Sequence, residues 1–173
     1  MNHSETQRLH FTPVSTAEQI QIVADLAGPI WREAFTAIIG PEQVEYMLKD
    51  WQSPPAIRSQ MKDGARYFLA MRQDQPIGYC AWSPEAQGTA KLSKFYLSPS
   101  SHGQGFAPEM LHFIETQARD NGHHTLWLQT NRANHRAIRF YLKNGFIIIR
   151  DQRQSIGEGF FIDDHIMEKP LTG

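Results

Sequence analysis

The segment from Leu97 to Ala107 constrains the fold more than any other part of this sequence. It reads LSPSSHGQGFA and lies between a β-prone run and an amphipathic helical pattern. A loop rich in glycine and serine at such a junction gathers free backbone N–H groups near the positive end of the helix dipole. These donors suit an anion, most naturally a pyrophosphate, and side chains at Gly103 and Gly105 would keep phosphates away from the backbone. An ordinary strand-to-helix turn is the alternative interpretation.

The residues after the loop predict a strand–helix–strand unit. Apolar residues recur at helical spacing from Phe106 to Ala118, with polar residues on the opposite side. Pro108 falls in the first turn, where a missing N–H costs little, and Asn121-Gly122 ends the pattern. Residues 125–130 then predict a strand. The resulting βαβ-like unit is expected to be right-handed if its strands are parallel.

A second motif follows between residues 131 and 146. Asn131 or Asn134 can cap its helix. The pattern Asn-x-x-Ala-x-x-x-Tyr-x-x-x-Gly-Phe is formed by Asn134, Ala137, Tyr141, Gly145 and Phe146. With this motif the chain resembles the GNAT superfamily of acyl-CoA-dependent N-acetyltransferases, which carries the same signature. The superfamily's pyrophosphate loop, Gln/Arg-x-x-Gly-x-Gly/Ala, is matched by residues 102–107.

The strong part of the resemblance covers roughly residues 91–150. One position departs from the pattern, because His102 stands where the family usually has Gln or Arg. Histidine still donates a hydrogen bond but is cationic only at lower pH, so the phosphate contact is expected to be weaker or pH-dependent.

The order of elements along the chain agrees with the fold that the resemblance implies. This fold is mixed α/β (α+β), with a mostly antiparallel sheet of about seven strands flanked by helices and a central splay between two parallel strands. Ser15 and Glu18 predict a capping box for the first helix, and Gly28-Pro29 is predicted to break or kink that helix. All 173 residues are expected to form a single domain.

The activity that the resemblance implies is direct transfer of the acetyl group of acetyl-CoA to a primary amine. Tyr141 would be the catalytic acid, whose phenol protonates the leaving thiolate. The implied cofactor-binding residues are Phe95, Tyr96, Leu97, His102, Gly103, Gln104, Gly105, Phe106, Ala107, Asn134, Tyr141 and Lys143. Tyr141 also fits a core tyrosine, Asn134 a simple helix cap and Lys143 a solvated surface charge.

The base that deprotonates the amine is not evident. Many family members place a glutamate in the strand before the loop, but residues 91–95 read KLSKF and contain no carboxylate. Water and backbone carbonyls, or a carboxylate from elsewhere, remain candidates. Asp163-Asp164-His165 is the most conspicuous cluster, and we expect a strand end or turn with solvated charges there. No metal site is expected, since adjacent strand residues point to opposite faces.

The amine acceptor is the least determined part of the prediction. Trp31, Phe35 and Tyr46 could form an aromatic lining that attracts a cationic amine, although core packing fits their spacing at least as well. The early helices and the tail from Phe160 to Lys169 resemble a bacterial branch that includes polyamine acetyltransferases. A polyamine is therefore suggested, and a protein N-terminus, a lysine, an antibiotic or a small amino metabolite remain open.

Composition limits the other function classes. The net charge of −1 gives no support for nucleic acid or a membrane surface as partner. Cys80 is the only cysteine, which suits a reducing cytoplasm, and its apolar neighbours predict a buried thiol. The chain is expected to act as a monomer or homodimer. A non-catalytic acyl-CoA-binding sensor is the second hypothesis, because the phosphate loop is intact while the strand carboxylate is missing.

Overall fold

The computed structural model describes residues 8–172. A first strand, β1 (Leu9–Pro13), is followed by three helices: α1 (Ala17–Ile39), α2 (Pro41–Trp51) and α3 (Pro54–Lys62). The later elements are β2 (Arg66–Arg72), β3 (Gln75–Pro84), β4 (Thr89–Leu97), a 3₁₀ turn (Pro99–Ser101), α4 (Phe106–Asp120), β5 (Thr125–Asn131), α5 (His135–Lys143), β6 (Ile147–Gly157) and β7 (Phe160–Pro170).

The strands form one seven-stranded sheet in the order β1-β2-β3-β4-β5-β7-β6. Among the strands of residues 8–172, only β4 and β5 are parallel neighbours, and the other adjacent strands are antiparallel. The parallel pair is short, joining Thr89–Lys91 to Thr125–Trp127. Beyond these residues the two strands diverge and leave a gap in the middle of the sheet. The predicted mixed sheet with a central splay is confirmed.

Helices cover both faces of the sheet, so the gap opens between two apolar layers. Met110 and Ile114 of α4 pack with Leu126 and Tyr141 on one face. The other face is covered by α1, α2 and α3. Cys80 lies in β3 and is fully buried, as predicted, and burial raises the pKa of its thiol. Within the described part of the chain, no helix is long and apolar enough to cross a membrane.

The first helix differs from the prediction at two points. Pro29 lies inside α1, which continues without a break to Ile39. Ile30 and Trp31 are buried beside it. Their burial contributes roughly 3–6 kcal/mol in total, enough to offset the ~3 kcal/mol that a proline costs within a helix. The capping box also starts one residue later, between Thr16 and Gln19.

The C-terminal hairpin corrects the expectation of a strand end or turn at Asp163-Asp164-His165. These residues lie within β7, which pairs with β5 on one side and β6 on the other. The turn falls instead at Gly157–Gly159, where all three residues have positive φ. Because β7 is an interior strand, alternate side chains face a covered side of the sheet, and Asp164 is only 8% exposed.

Candidate active site

A cavity of about 810 Å³ opens where β4 and β5 diverge. It extends from the loop before α4, past the gap in the sheet, to the helices α1 and α2. Nine of the residues predicted to bind cofactor or acceptor line it: Trp31, Phe35, Phe95, Tyr96, Leu97, His102, Ala107, Asn134 and Tyr141. The structure thus brings the two sequence motifs together at one cavity.

One end of the cavity is the loop that precedes α4. Gly103 and Gly105 have φ values of 76° and 81°, and a Cβ added to either would meet no atom within 4 Å. Glycine is therefore required by the backbone conformation, and the space beside the loop is open. The N–H groups of residues 103–106 donate no hydrogen bond within residues 8–172, and α4 begins without a side-chain cap. Free donors at a helix N-terminus form an anion site.

His102 is held against the protein by both ring nitrogens. Its Nε2 lies 3.1 Å from the Leu97 carbonyl, and its Nδ1 lies 2.8 Å from Arg136 Nη1. Arginine is only a donor, so Nδ1 accepts and Nε2 carries the proton. The Arg136 guanidinium lies at the cavity wall near the loop and has no carboxylate partner among the described residues. A permanent cation from α5 thus lies beside the loop position where the family usually has Gln or Arg.

The remaining loop side chains point elsewhere. Gln104 bonds to Arg72 and to the Ser100 carbonyl, while Phe106 is buried in the core. Both residues can therefore offer only their backbone N–H groups to a ligand. Lys143 is exposed in the last turn of α5 and does not line the cavity, which agrees with a solvated surface charge.

Tyr141 lies on the α5 side of the gap in the sheet. Its ring packs against Phe95 and Phe146, with centroid distances of 6.1 and 5.4 Å. Its hydroxyl has no hydrogen-bond partner among the described residues. Burial raises the pKa of Tyr141 above its ordinary value of 10, so the phenol keeps its proton at neutral pH. Asn134 caps α5 by accepting from the Ala137 N–H and also lines the cavity.

The opposite wall of the cavity is aromatic. Trp31 lies 4.7 Å from Phe35 and 5.6 Å from Tyr96, measured between ring centroids. This cluster belongs to the core under α1 and lines the cavity at the same time, so core packing and ligand contact are compatible. Tyr46 is placed differently, because its hydroxyl donates to the Ile156 carbonyl and its ring packs on Phe160. Tyr46 does not line the cavity.

Polar side chains cross the gap on the same side as this aromatic wall. Lys91 Nζ donates to Gln129 Oε1 at 3.1 Å, and Gln129 Nε2 donates to Asp164 Oδ2 at 3.0 Å. Burial raises the pKa of Asp164 above its ordinary value of 3.8. Lys94 lines the same wall, and burial together with the charge of Lys91 lowers its pKa to about 8.

Comparison with known proteins identifies the family. Residues 28–146 match the acetyltransferase (GNAT) family. The chain belongs to this family. An uncharacterised N-acetyltransferase of Mycobacterium bovis is 29% identical over 160 residues, which cover 92% of this chain and all of that protein.

Solved structures of low sequence identity share the fold of this acetyltransferase. The PaiA N-acetyltransferase of Thermoplasma acidophilum, solved in complex with coenzyme A, has a TM-score of 0.77 at 23% identity and covers 94% of this chain and 99% of its own. A GCN5-related N-acetyltransferase of Rhodopseudomonas palustris has a TM-score of 0.77 at 17% identity and covers 95% of each chain.

Sequence reasoning missed two polar residues of the acetyltransferase cavity and gave a third the wrong environment. Arg136 and Lys94 lie inside the quoted motif regions but were assigned no contact, and Asp164 was expected in a solvated turn. A signal for Asp164 was present in the sequence. Ile162 and Ile166 are buried and share its strand face at a spacing of two residues, which marks Asp164 as an inward-facing carboxylate.

Proposed function

We propose that this acetyltransferase moves the acetyl group of acetyl-CoA directly to a primary amine. The observation that carries the proposal is one cavity that begins at His102 and Ala107, on either side of the free N–H donors, and continues past Tyr141 to an aromatic and polar chamber. The coenzyme A in the structurally similar PaiA protein supports a CoA thioester as donor.

The donor end of the cavity fits the phosphate-rich part of CoA. The N–H groups of residues 103–107 would bind the pyrophosphate, and the Arg136 guanidinium would pair with its charge. The edge of β4 from Phe95 to Leu97 has no strand partner on the side of β5. Its backbone groups would pair with the amides of the pantetheine arm, as with an added strand. The thioester then comes to lie near Tyr141.

Tyr141 is proposed as the acid of the reaction. The neutral amine attacks the thioester carbonyl carbon, the C–S bond breaks, and the phenol protonates the thiolate that leaves. The nitrogen, which is positively charged after the attack, loses a proton, and this proton restores the phenol. A buried tyrosine with a raised pKa remains protonated until the thiolate forms, as this role requires.

Asp164 is proposed to bind and deprotonate the amine. Primary amines are mostly protonated at neutral pH, so a proton must be lost before attack. Asp164 lies in the chamber wall, and Gln129 fixes one of its oxygens, which leaves the other free to accept. This carboxylate on β7 takes the place of the glutamate that many family members carry on the strand before the loop.

Measurements of acetyl-CoA binding and of acetyl transfer together distinguish this function from that of a non-catalytic sensor. Calorimetric titration with acetyl-CoA, with ATP and NAD as controls, is expected to show selective micromolar binding. Release of free CoA thiol is then followed with a panel of small amines that includes spermidine and spermine. Binding without transfer to any amine would favour the sensor, and absence of acetyl-CoA binding by folded protein would refute both functions.

A further inference from the structure

The acceptor chamber is lined by charges of both signs. Lys91 and Lys94 line it from β4 and Asp164 lines it from β7, while Glu33, an exposed residue of α1, also borders the cavity. Lys91 donates to the neutral amide of Gln129 and lies 4.7 Å from the centroid of the Trp127 ring. Lys94 has no hydrogen-bond or ion-pair partner anywhere in residues 8–172. At neutral pH it is a cation that the protein leaves without a counter-ion.

Lys94 does not face the CoA side of the gap. Phe95 packs with the core beneath α4 and α5, whereas Tyr96 packs with the core beneath α1 and α2. Side chains alternate along a strand, so Lys94 shares the face of Tyr96. The phosphate end has its own donors in the loop and in Arg136. The ligand that meets Lys94 is therefore the acceptor.

An unpaired cation in a partly desolvated wall is costly unless a ligand supplies the opposite charge. A polycationic acceptor would add repulsion from Lys94 and Lys91. Lys91 lies close enough to Lys94 and to Asp164 for its charge to shift the pKa of both. The lysine cations and the Asp164 carboxylate are thus close enough to contact the same small molecule. The rings of Trp31, Phe35 and Tyr96 lie beside them.

We propose that the acceptor is an amine that also carries an anionic group, as in an amino acid. Lys94 binds the anion, with Lys91 behind it, while Asp164 binds the ammonium group before its proton is lost. This inference rests on the proposed transfer to an amine and specifies its substrate class. It makes spermidine and similar polyamines poor acceptors.

Matched pairs of acceptors test the anionic group. L-phenylalanine is compared with L-phenylalanine amide, and 5-aminopentanoate with 1,5-diaminopentane and spermidine, by release of CoA thiol. O-phosphoethanolamine distinguishes a phosphate from a carboxylate as the preferred anion. We expect the anionic member of a pair to have a kcat/KM at least about tenfold higher, as for one charge-assisted contact. Equal or faster reaction of the amide, diamine and spermidine would overturn the inference.

Variants of Lys94 test whether this residue causes the preference for anionic acceptors. Lys94→Met replaces the charged side chain with an unbranched apolar one of similar length and should abolish the discrimination, whereas Lys94→Arg should retain most of it. Lys62→Met, an exposed lysine outside the cavity lining, is the matched control. Acetyl-CoA affinity is expected to stay unchanged in all three. A Lys94→Met enzyme that discriminates as the wild type does would refute the assignment.

Direct binding keeps this test separate from the test of catalysis. If no amine is acetylated, the proposed function fails, and the anion site is then judged with N-acetyl-L-phenylalanine and its amide in the presence of CoA. Trp31 lies in the cavity wall, so its fluorescence reports occupancy. Preference for the carboxylate that Lys94→Met removes would support an anion site, and equal binding of the two probes would exclude it.

Discussion

Replacing Lys94 by methionine should stabilise the free protein at neutral pH. Burial and the neighbouring Lys91 lower the pKa of Lys94 from 10.5 to about 8. At about 1.36 kcal/mol for each pKa unit, the charged form is disfavoured in the folded state by up to about 3 kcal/mol. The side chain borders an open cavity, so water screens part of this effect. We expect a gain of about 1–3 kcal/mol for Lys94→Met, whose apolar chain has similar length.

The gain should depend on pH with a defined sign. The folded-state pKa of Lys94 lies below the unfolded value, so between about pH 8 and pH 10.5 the unfolded chain holds a proton that the folded protein has released. The stability of the wild type therefore rises with pH across this window, and the advantage of Lys94→Met shrinks. Below about pH 8 the advantage is complete.

Urea unfolding of both proteins at pH 7 and at about pH 10 measures the effect. Tyrosines and other lysines titrate in both proteins, so the difference between the two unfolding free energies isolates Lys94. A variant less stable than wild type at pH 7, or a gain that is the same at both pH values, would refute the reasoning. The expected combination of a more stable protein and lost acceptor discrimination is typical of a binding residue kept at a cost in stability.

The other side chains of the cavity yield three predictions. Tyr141→Phe should lower kcat by about 10²-fold or more while calorimetry finds acetyl-CoA affinity unchanged; wild-type turnover would exclude Tyr141 as the acid. Asp164→Asn should lower kcat/KM about tenfold or more at pH 7 and recover at alkaline pH, where the amine is already neutral; a loss that is the same at every pH would contradict a role in proton removal. Arg136→Met should weaken acetyl-CoA binding about tenfold, and more in low salt, with the exposed Arg139 changed to methionine as control.

Local signals in the sequence predicted the fold well where local and tertiary preferences agree. Gly103 and Gly105 adopt the left-handed conformations that the loop requires, and α5 is capped by Asn134, one of the two predicted candidates. The predicted alternative of a break at Gly28-Pro29 was wrong, because burial of the α1 face outweighs the local cost of proline. Local helix propensity gives the cost of a proline within a helix. It does not show the packing against the core that offsets this cost.

The site was predictable only where its residues belong to one short motif. His102 and Arg136 are 34 positions apart, and Gln129 and Asp164 are 35 apart. Neither contact has a sequence signature, because each depends on which strands the sheet places side by side. The order β4-β5-β7 brings Lys94, Gln129 and Asp164 to one chamber from three separate parts of the chain.

The placement of Lys94 and Asp164 accounts for the missing carboxylate on β4. A glutamate on the same face of that strand, two positions from Lys94, would pair with it, and both charges would be lost to a ligand. With the carboxylate on β7 and Gln129 between Lys91 and Asp164, the structure keeps the cations on β4 apart from the anion. Neither charge is neutralised by a direct ion pair to the other among the described residues. Opposite charges that share one wall without forming an ion pair suit an acceptor that carries both, and an acceptor with only positive charge leaves Lys94 without a counter-ion.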